Sequence, residues 1–371
     1  MKKLLILLFG MVLIPLLGFG SSKKVDTLHL HHDSNLPTVA IVMTGGTISE
    51  KTDPKTGASV PVTSGGDLVK SIPELKELAN YKIIHFSNID SSQMTPEIWA
   101  KLSQTVDKVL EDEKIVGAVV THGTDTMAEG AFFLDVTLKT KKNVVFTGAM
   151  RNASDPYSDG PPNLINSVIQ VLSPRANNWG VTVNMNQYIQ SAYWVEKTQS
   201  TNPQTFMSGD KGYLGYVYNK KVVYRYNNRL FQMTFPIPEK LPKVAIISDY
   251  AGSTGELIKF AADHEKVDGI VIISVGAGNV NESMYYGIKY AIEKGVAVVI
   301  TTRVLHGGVF PAYGDLGGGS SLLKLGAILG GNLHAYKARL LLMLALPLYK
   351  GDTKKILEIY KQQFHMRLPT N

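Results

Sequence analysis

The chain has 371 residues, 44% of them hydrophobic and 19% charged, which suits two folded domains and is not the composition of a disordered chain. It contains no cysteine, so a disulfide framework and a thiolate metal site are both excluded. The formal net charge of +7 is scattered, with lysine pairs at 141–142 and 220–221 and no basic block interleaved with aromatics, so no nucleic-acid partner is expected.

Lys2 and Lys3 precede an apolar run from Leu4 to Phe19 that closes on Gly18, Gly20, Ser21 and Ser22. This reads as a signal peptide over residues 1–20, cleaved after Gly20, with export to the periplasm or beyond. An uncleaved anchor is the alternative, although the run falls just short of the ~20 residues a spanning helix needs. No later stretch is apolar enough to span a membrane, so none is expected as a partner beyond export. Residues 21–37, with His29, His31 and His32, read as a short polar leader whose histidines are incidental.

The fold is expected to begin at TVAIVMTGGTISE. Val39–Met43 has the composition of a buried strand, and Gly45-Gly46 permits a tight turn flanked by Thr44 and Thr47. A phosphate-cradling loop is the competing reading, but neither glycine-rich nucleotide fingerprint is present. Residues 50–66, rich in Pro and Gly, form a long connection of the kind that serves as a lid. A helix over 67–79 and a strand over 82–86 follow. Thr95 caps the next helix with Pro96 at its first position, and Ile98, Leu102, Val106 and Leu110 recur at helical spacing. Ser91 and Ser92, just before it, contact a ligand or cap a turn.

Gly117–Gly130 passes from a buried strand ending at Thr121 through a small polar turn into a helix. Thr124 and Asp125 stand at that junction, where backbone N–H groups can receive developing negative charge. Hydroxyl beside carboxylate suits acyl or amide chemistry. A strand over 143–147 leads to a turn-rich loop in which Arg151 and Asp159 could pair, and Asn163 starts a helix. A strand over 180–185, a polar stretch with Glu196, Lys197 and Thr198, and a hairpin over 212–233 around Asn219-Lys220 come next. Pro236, Pro238 and Pro242 mark a linker, placed at 233–242. Strands over 244–248, 269–274 and 296–302 then alternate with helices near 255–263 and 282–293, and helices over 335–348 and 352–365 close the chain. The pattern predicts an α/β protein of two domains with mainly parallel sheets: a larger N-terminal one over 37–232 and a smaller C-terminal one over 243–371.

TGGTIS at 44–49, DSSQMTPEIW at 90–99, THGTDTMAE at 121–129, VVFTGAMR at 144–151, SDGPPNL at 158–164 and LPKVAII at 241–247 together resemble the bacterial L-asparaginase/glutaminase family. The leader resembles that of its secreted branch. The resemblance implies a homotetramer with active sites where two subunits meet, and no metal or organic cofactor. It makes Thr47 the nucleophile on the side-chain amide of L-asparagine, with L-glutamine as a second candidate substrate. Thr124, Asp125 and Lys197 match the second catalytic group, Asp125 also receiving the substrate's α-amino group, while Ser91 and Ser92 occupy the segment that holds its α-carboxylate. The chemistry agrees, because a threonine hydroxyl needs a nearby base, which a desolvated lysine can supply.

Three positions depart from the family pattern. No tyrosine stands in 50–66, where Ala58 or Ser59 occupies that place; Asp315 is the acid nearest the family's partner glutamate, with Tyr313 a substitute for the absent phenol; and Gly252 stands where the family carries an asparagine. Two rival readings follow. One is an exported amino-acid-binding protein or degenerate enzyme that keeps the pocket. The other is a subunit of a tRNA-dependent amidotransferase, which the leader argues against. His122 and His306 are expected to be structural.

Overall fold

The computed structural model describes residues 26–56, 59–61, 65–226 and 233–363. The expected signal peptide and cleavage point, Ala58, and the ends of the expected hairpin and last helix lie outside the described residues.

The larger sheet orders its nine described strands as Asp26–Leu30, Asn80–His85, Thr38–Met43, Ile115–Thr121, Asn143–Thr147, Val181–Met185, Tyr188–Ser191, Gly215–Tyr218 and Lys221–Tyr224. The run from Asn80–His85 to Val181–Met185 is parallel and the flanks are antiparallel. The parallel strands are near-continuous apolar runs because both their faces are covered. Val39, Ile41, Met43, Ile83, Val119 and Val145 face one layer, which holds Leu68, Val69 and Leu75 and helix Gly160–Val171. Ala40, Val42, Ile84, Ala118, Val120 and Phe146 face the other, built from helices Pro96–Leu110 and Met127–Thr137. From Thr38–Met43 the chain crosses to one neighbour, Asn80–His85, and then returns to the other, Ile115–Thr121. Their carboxyl ends therefore flank a topological switch point, the place where open α/β sheets hold ligands.

The smaller sheet is parallel throughout, in the order Val244–Ser248, Gly269–Ser274, Ala297–Thr302, Ile328–Leu329. Helices Glu256–Asp263 and Glu282–Glu293 cover one face through Ile258, Ala261, Met284 and Ile288. Helix Ala335–Leu348 covers the other and also packs on Met127–Thr137, so it is shared between the cores of both sheets. That position explains why, apart from Lys337 and Arg339 in its first turns, it is apolar on every side. No helix among the described residues is long and apolar enough to cross a membrane.

Several sequence expectations need correction. The helix expected over 67–79 ends at Lys70, because Pro73 forces Ile72 into extended backbone before a tight turn over Pro73–Glu77. The helix expected at Asn163 starts at Gly160, its first turn accommodating Pro161 and Pro162. Asp26–Leu30, read as leader, pairs antiparallel with Asn80–His85, and His31 meets Tyr81 edge-on. Arg151 and Asp159 do not meet through the guanidinium. The carboxylate instead accepts the backbone N–H groups of Met150 and Arg151, and the guanidinium donates to the Tyr157 carbonyl. The connection over 50–66 contains a small ribbon, Glu50–Thr52 against Ser59–Pro61, tied down where the Ala153 N–H donates to the Glu50 carbonyl. The expected hairpin turns at Asn219 and Lys220, both at positive φ, the geometry of a two-residue turn that matches strand twist.

Candidate active site

The two threonine turns leave adjacent parallel strands at the same level, Met43 paired with Thr121. Thr44 ties them together, its N–H and hydroxyl both donating to the Thr121 carbonyl, at 3.1 and 2.9 Å. Beyond it the chain turns at Gly46, whose φ of 85° and ψ of 175° belong to a region essentially reserved for glycine. The reason is a close backbone approach: a Cβ on Gly46 would lie 2.4 Å from the Gly123 Cα. Thr47, half-buried, is thus one residue from the turn that carries Thr124.

Gly46→Ala is accordingly expected to combine a strained backbone with a backbone clash, at a cost of about 2 kcal/mol or more. Urea unfolding checks this, and a variant with wild-type stability would show that the two turns can separate freely.

Thr124 is buried, 8% exposed, and Asp125 beside it is open to solvent. Lys197 reaches both from 72 residues away in sequence. Its Nζ donates to Thr124 Oγ1 at 2.9 Å and to Asp125 Oδ1 at 2.6 Å. The two-residue strand Glu196–Lys197 presents that side chain, held by antiparallel pairing with Phe206–Met207. An open cleft adjoins the group, lined by Asp125, Ala128, Glu129, Lys197, Gln199 and Tyr336 among others; Thr47 is not on its wall. Burial pushes the Glu129 carboxyl above its usual range.

Ser91 braces the second turn from below. Its buried Oγ accepts the Asp125 N–H at 3.2 Å, its carbonyl accepts the Thr126 hydroxyl at 2.7 Å, and it lies against Gly123. Ser92 is exposed; its hydroxyl first, and then its N–H at 2.7 Å from Asp90 Oδ1, hold the Asp90 carboxyl below its ordinary value. Thr47, Ser91, Thr124, Asp125 and Lys197 therefore converge on one end of the sheet, with Ser92 at the margin.

His122 is wholly buried. The Trp99 indole donates to its Nε2 at 3.2 Å, which leaves the proton on Nδ1 to reach the Gly123 carbonyl at 2.8 Å. Sequence reading judged His122 structural but missed Trp99, whose only signal was a lone indole on an otherwise aliphatic helix face. Burial pushes the His122 pKa down to about 4. The unfolded histidine titrates near 6.5, so the unfolded chain binds the extra proton first and stability is lost as pH falls from ~6.5 towards ~4, by about 3 kcal/mol in full. In urea unfolding at pH 7 and 4.5, His122→Gln is expected to lose less stability between the two pH values than the wild type. Equal losses would show that this histidine does not set the acid limit.

Residues 38–230 match the family described as Asparaginase, N-terminal, and residues 243–360 match the Glutaminase/Asparaginase C-terminal domain. The chain belongs to the L-asparaginase family. It is therefore an amidohydrolase that takes a small-molecule substrate. L-asparaginase 2 of Escherichia coli K12 is 37% identical over 335 residues, covering 88% of this chain and 93% of that one. A probable periplasmic L-asparaginase of Haemophilus influenzae is 35% identical over 361 residues, covering 95% and 99%. Among solved structures, that of a probable cytoplasmic L-asparaginase from Campylobacter jejuni superposes with a TM-score of 0.79 at 37% identity, covering 88% of this chain and 99% of that one. Gly252, Tyr313 and Asp315 are all exposed in the single chain.

Proposed function

We propose that the protein hydrolyses L-asparagine to L-aspartate and ammonia through a threonine acyl-enzyme, with L-glutamine as a second candidate substrate. The observation that carries this reading is the Lys197 amine seated between the Thr124 hydroxyl and the Asp125 carboxylate. Thr47 attacks the side-chain carbonyl carbon, and its hydroxyl proton passes towards the Thr124–Lys197 pair. The tetrahedral oxyanion then collapses, breaking the C–N bond, and ammonia leaves with that proton. Water attacks the resulting ester, releasing aspartate and restoring the Thr47 hydroxyl. Backbone N–H groups at the two turns stabilise the oxyanion, an effect worth about 3–4 kcal/mol per donor. Asp125, exposed at the cleft, anchors the substrate ammonium. The Ser91 hydroxyl, already an acceptor for Asp125 N–H, keeps its own proton for the α-carboxylate, and Ser92 lies beside it.

We further propose domains at 37–232 and 243–371 joined by 233–242, supported by the division of the main strands between two sheets, with Asp26–Leu30 an edge strand added to the first from before its expected start. A homotetramer with shared sites is supported by exposed Ile246, Leu257, Phe260 and Tyr286 on the C-terminal half. Export to the periplasm or beyond is supported by the N-terminal leader and by the periplasmic relative. Coupled ammonia detection on purified protein, with asparagine and glutamine at matched concentrations, tests the activity. Ammonia from neither amide, with amino-acid binding retained, would replace the enzyme with a binding protein. A monomeric mass in light scattering under assay conditions rejects the tetramer, and recovery of protein from the cytosol with Met1 intact rejects export.

A further inference from the structure

Helix Ala335–Leu348 carries one side chain that its setting does not favour. Lys337 is fully buried in an otherwise aliphatic stretch. Its ammonium donates to the Tyr193 carbonyl at 3.1 Å and the Val195 carbonyl at 2.6 Å, and lies 3.1 Å from the Glu196 carboxylate. Two of the three contacts are hydrogen bonds to main-chain carbonyls and the third is an ion pair, and all lie within residues 193–196 of the N-terminal half. Glu196 is itself buried, with His334 also 3.9 Å from its carboxylate. The next residue is Lys197.

We propose that Lys337 is a positioning residue: reaching across from the C-terminal half, it clamps the Tyr193–Glu196 turn and so sets Lys197 against Thr124. The inference rests on the assignment of Lys197 and Thr124 to the reaction. A buried ion pair alone is weak grounds for a role in stability, since apolar replacements often serve as well. Here two of the contacts are to main-chain carbonyls, and these fix a path of backbone. The N–H groups of Trp194 and Val195 are both spent on the Ser191 carbonyl, which turns the 193 carbonyl, in the same peptide unit as the Trp194 N–H, to the other side. Beyond the turn, the short pairing with Phe206–Met207 and the bonds of Thr198 and Gln199 to Thr205 continue the constraint. Release of the clamp leaves Lys197 attached but loosely aimed.

The test uses Lys337→Met combined with Glu196→Gln, which removes the clamp without stranding a buried carboxylate, alongside Glu196→Gln alone, which keeps both carbonyl bonds. Ammonia release from asparagine is expected to show kcat reduced about tenfold or more in the double variant, with KM within about threefold of wild type, and Glu196→Gln close to wild type. The pH–rate profile of the double variant is expected to differ from that of wild type. Glu196, Glu129, Asp135 and His334 surround Lys337 and Asp125 faces Lys197, so the difference is read against Glu196→Gln alone. A lower melting temperature with unchanged kcat and profile per folded molecule would reduce Lys337 to a structural role and overturn the proposal. Should the double variant not fold, Lys337→Gln decides. Its amide can serve the carbonyls only in part, so intermediate activity supports the clamp and wild-type kcat and profile reject it. Lys197→Met in parallel separates the two claims: if it turns over normally, the reading of the site fails first, whatever Lys337 does.

Discussion

Thr47→Ala is expected to reduce ammonia release from asparagine by about 10⁴-fold or more while leaving the fold intact. The size of the effect follows from the chemistry: without the hydroxyl no acyl-enzyme forms, and water must attack an unactivated amide. The fold is spared because Thr47 is half-buried at the sheet's end and belongs to no hydrophobic cluster, so unfolding midpoints should stay within about 1 kcal/mol of wild type. Single-turnover mass spectrometry adds a direct check, since the variant should never carry the ester. Near-normal turnover would remove Thr47 from the mechanism and leave the TGG turn as packing.

Lys197→Met is the second large effect, expected to cost ~10²–10⁴-fold in kcat and to abolish one limb of the pH–rate profile. The amine contacts both Thr124 Oγ1 and Asp125 Oδ1, so its loss removes proton transfer and the charge partner together. Stability should change little, because the Asp125 side chain is 60% exposed and water screens such pairs. Thr124→Ala is expected to follow Lys197→Met in kcat, and the double variant to be no worse than either single one, since the groups act as a unit. An unchanged pH profile in Lys197→Met would mean that the base is another group.

Much of the fold was legible because most of its elements are long or strongly patterned. The strands Asn143–Thr147, Val244–Ser248 and Gly269–Ser274 and the helices Glu282–Glu293 and Ala335–Leu348 stand where hydrophobic periodicity puts them. The elements that escaped were short or carried little apolar weight. Helix Gly319–Leu325 opens on Gly-Ser-Ser, and Ile328–Leu329 is two residues long, so neither shows a period. Asp26–Leu30 becomes a strand only because Asn80–His85 offers it an open edge, a tertiary cause invisible in five residues.

The site divides in the same way. Thr124 and Asp125 could be singled out locally, as small polar residues at a strand-to-turn junction, whereas Thr47 stood level with Thr44 until resemblance chose it. Lys197 could not, since a lysine in a polar stretch looks solvated until a partner 72 residues away is known; resemblance supplied it. Lys337 lies 144 residues from the carbonyl at Tyr193, and its only trace in the sequence is a cation in a run of alanine and leucine.

Helix Ala335–Leu348, shared by both cores, also bears on how the protein is made. Phe132, Phe133 and their neighbours leave the ribosome about 200 residues before the helix that covers them, which at ordinary rates of synthesis is a wait of roughly 10–40 s. During that interval the nascent N-terminal half carries an uncovered greasy surface, a natural target for a chaperone. Nearly the whole polypeptide must be translated before either half can close.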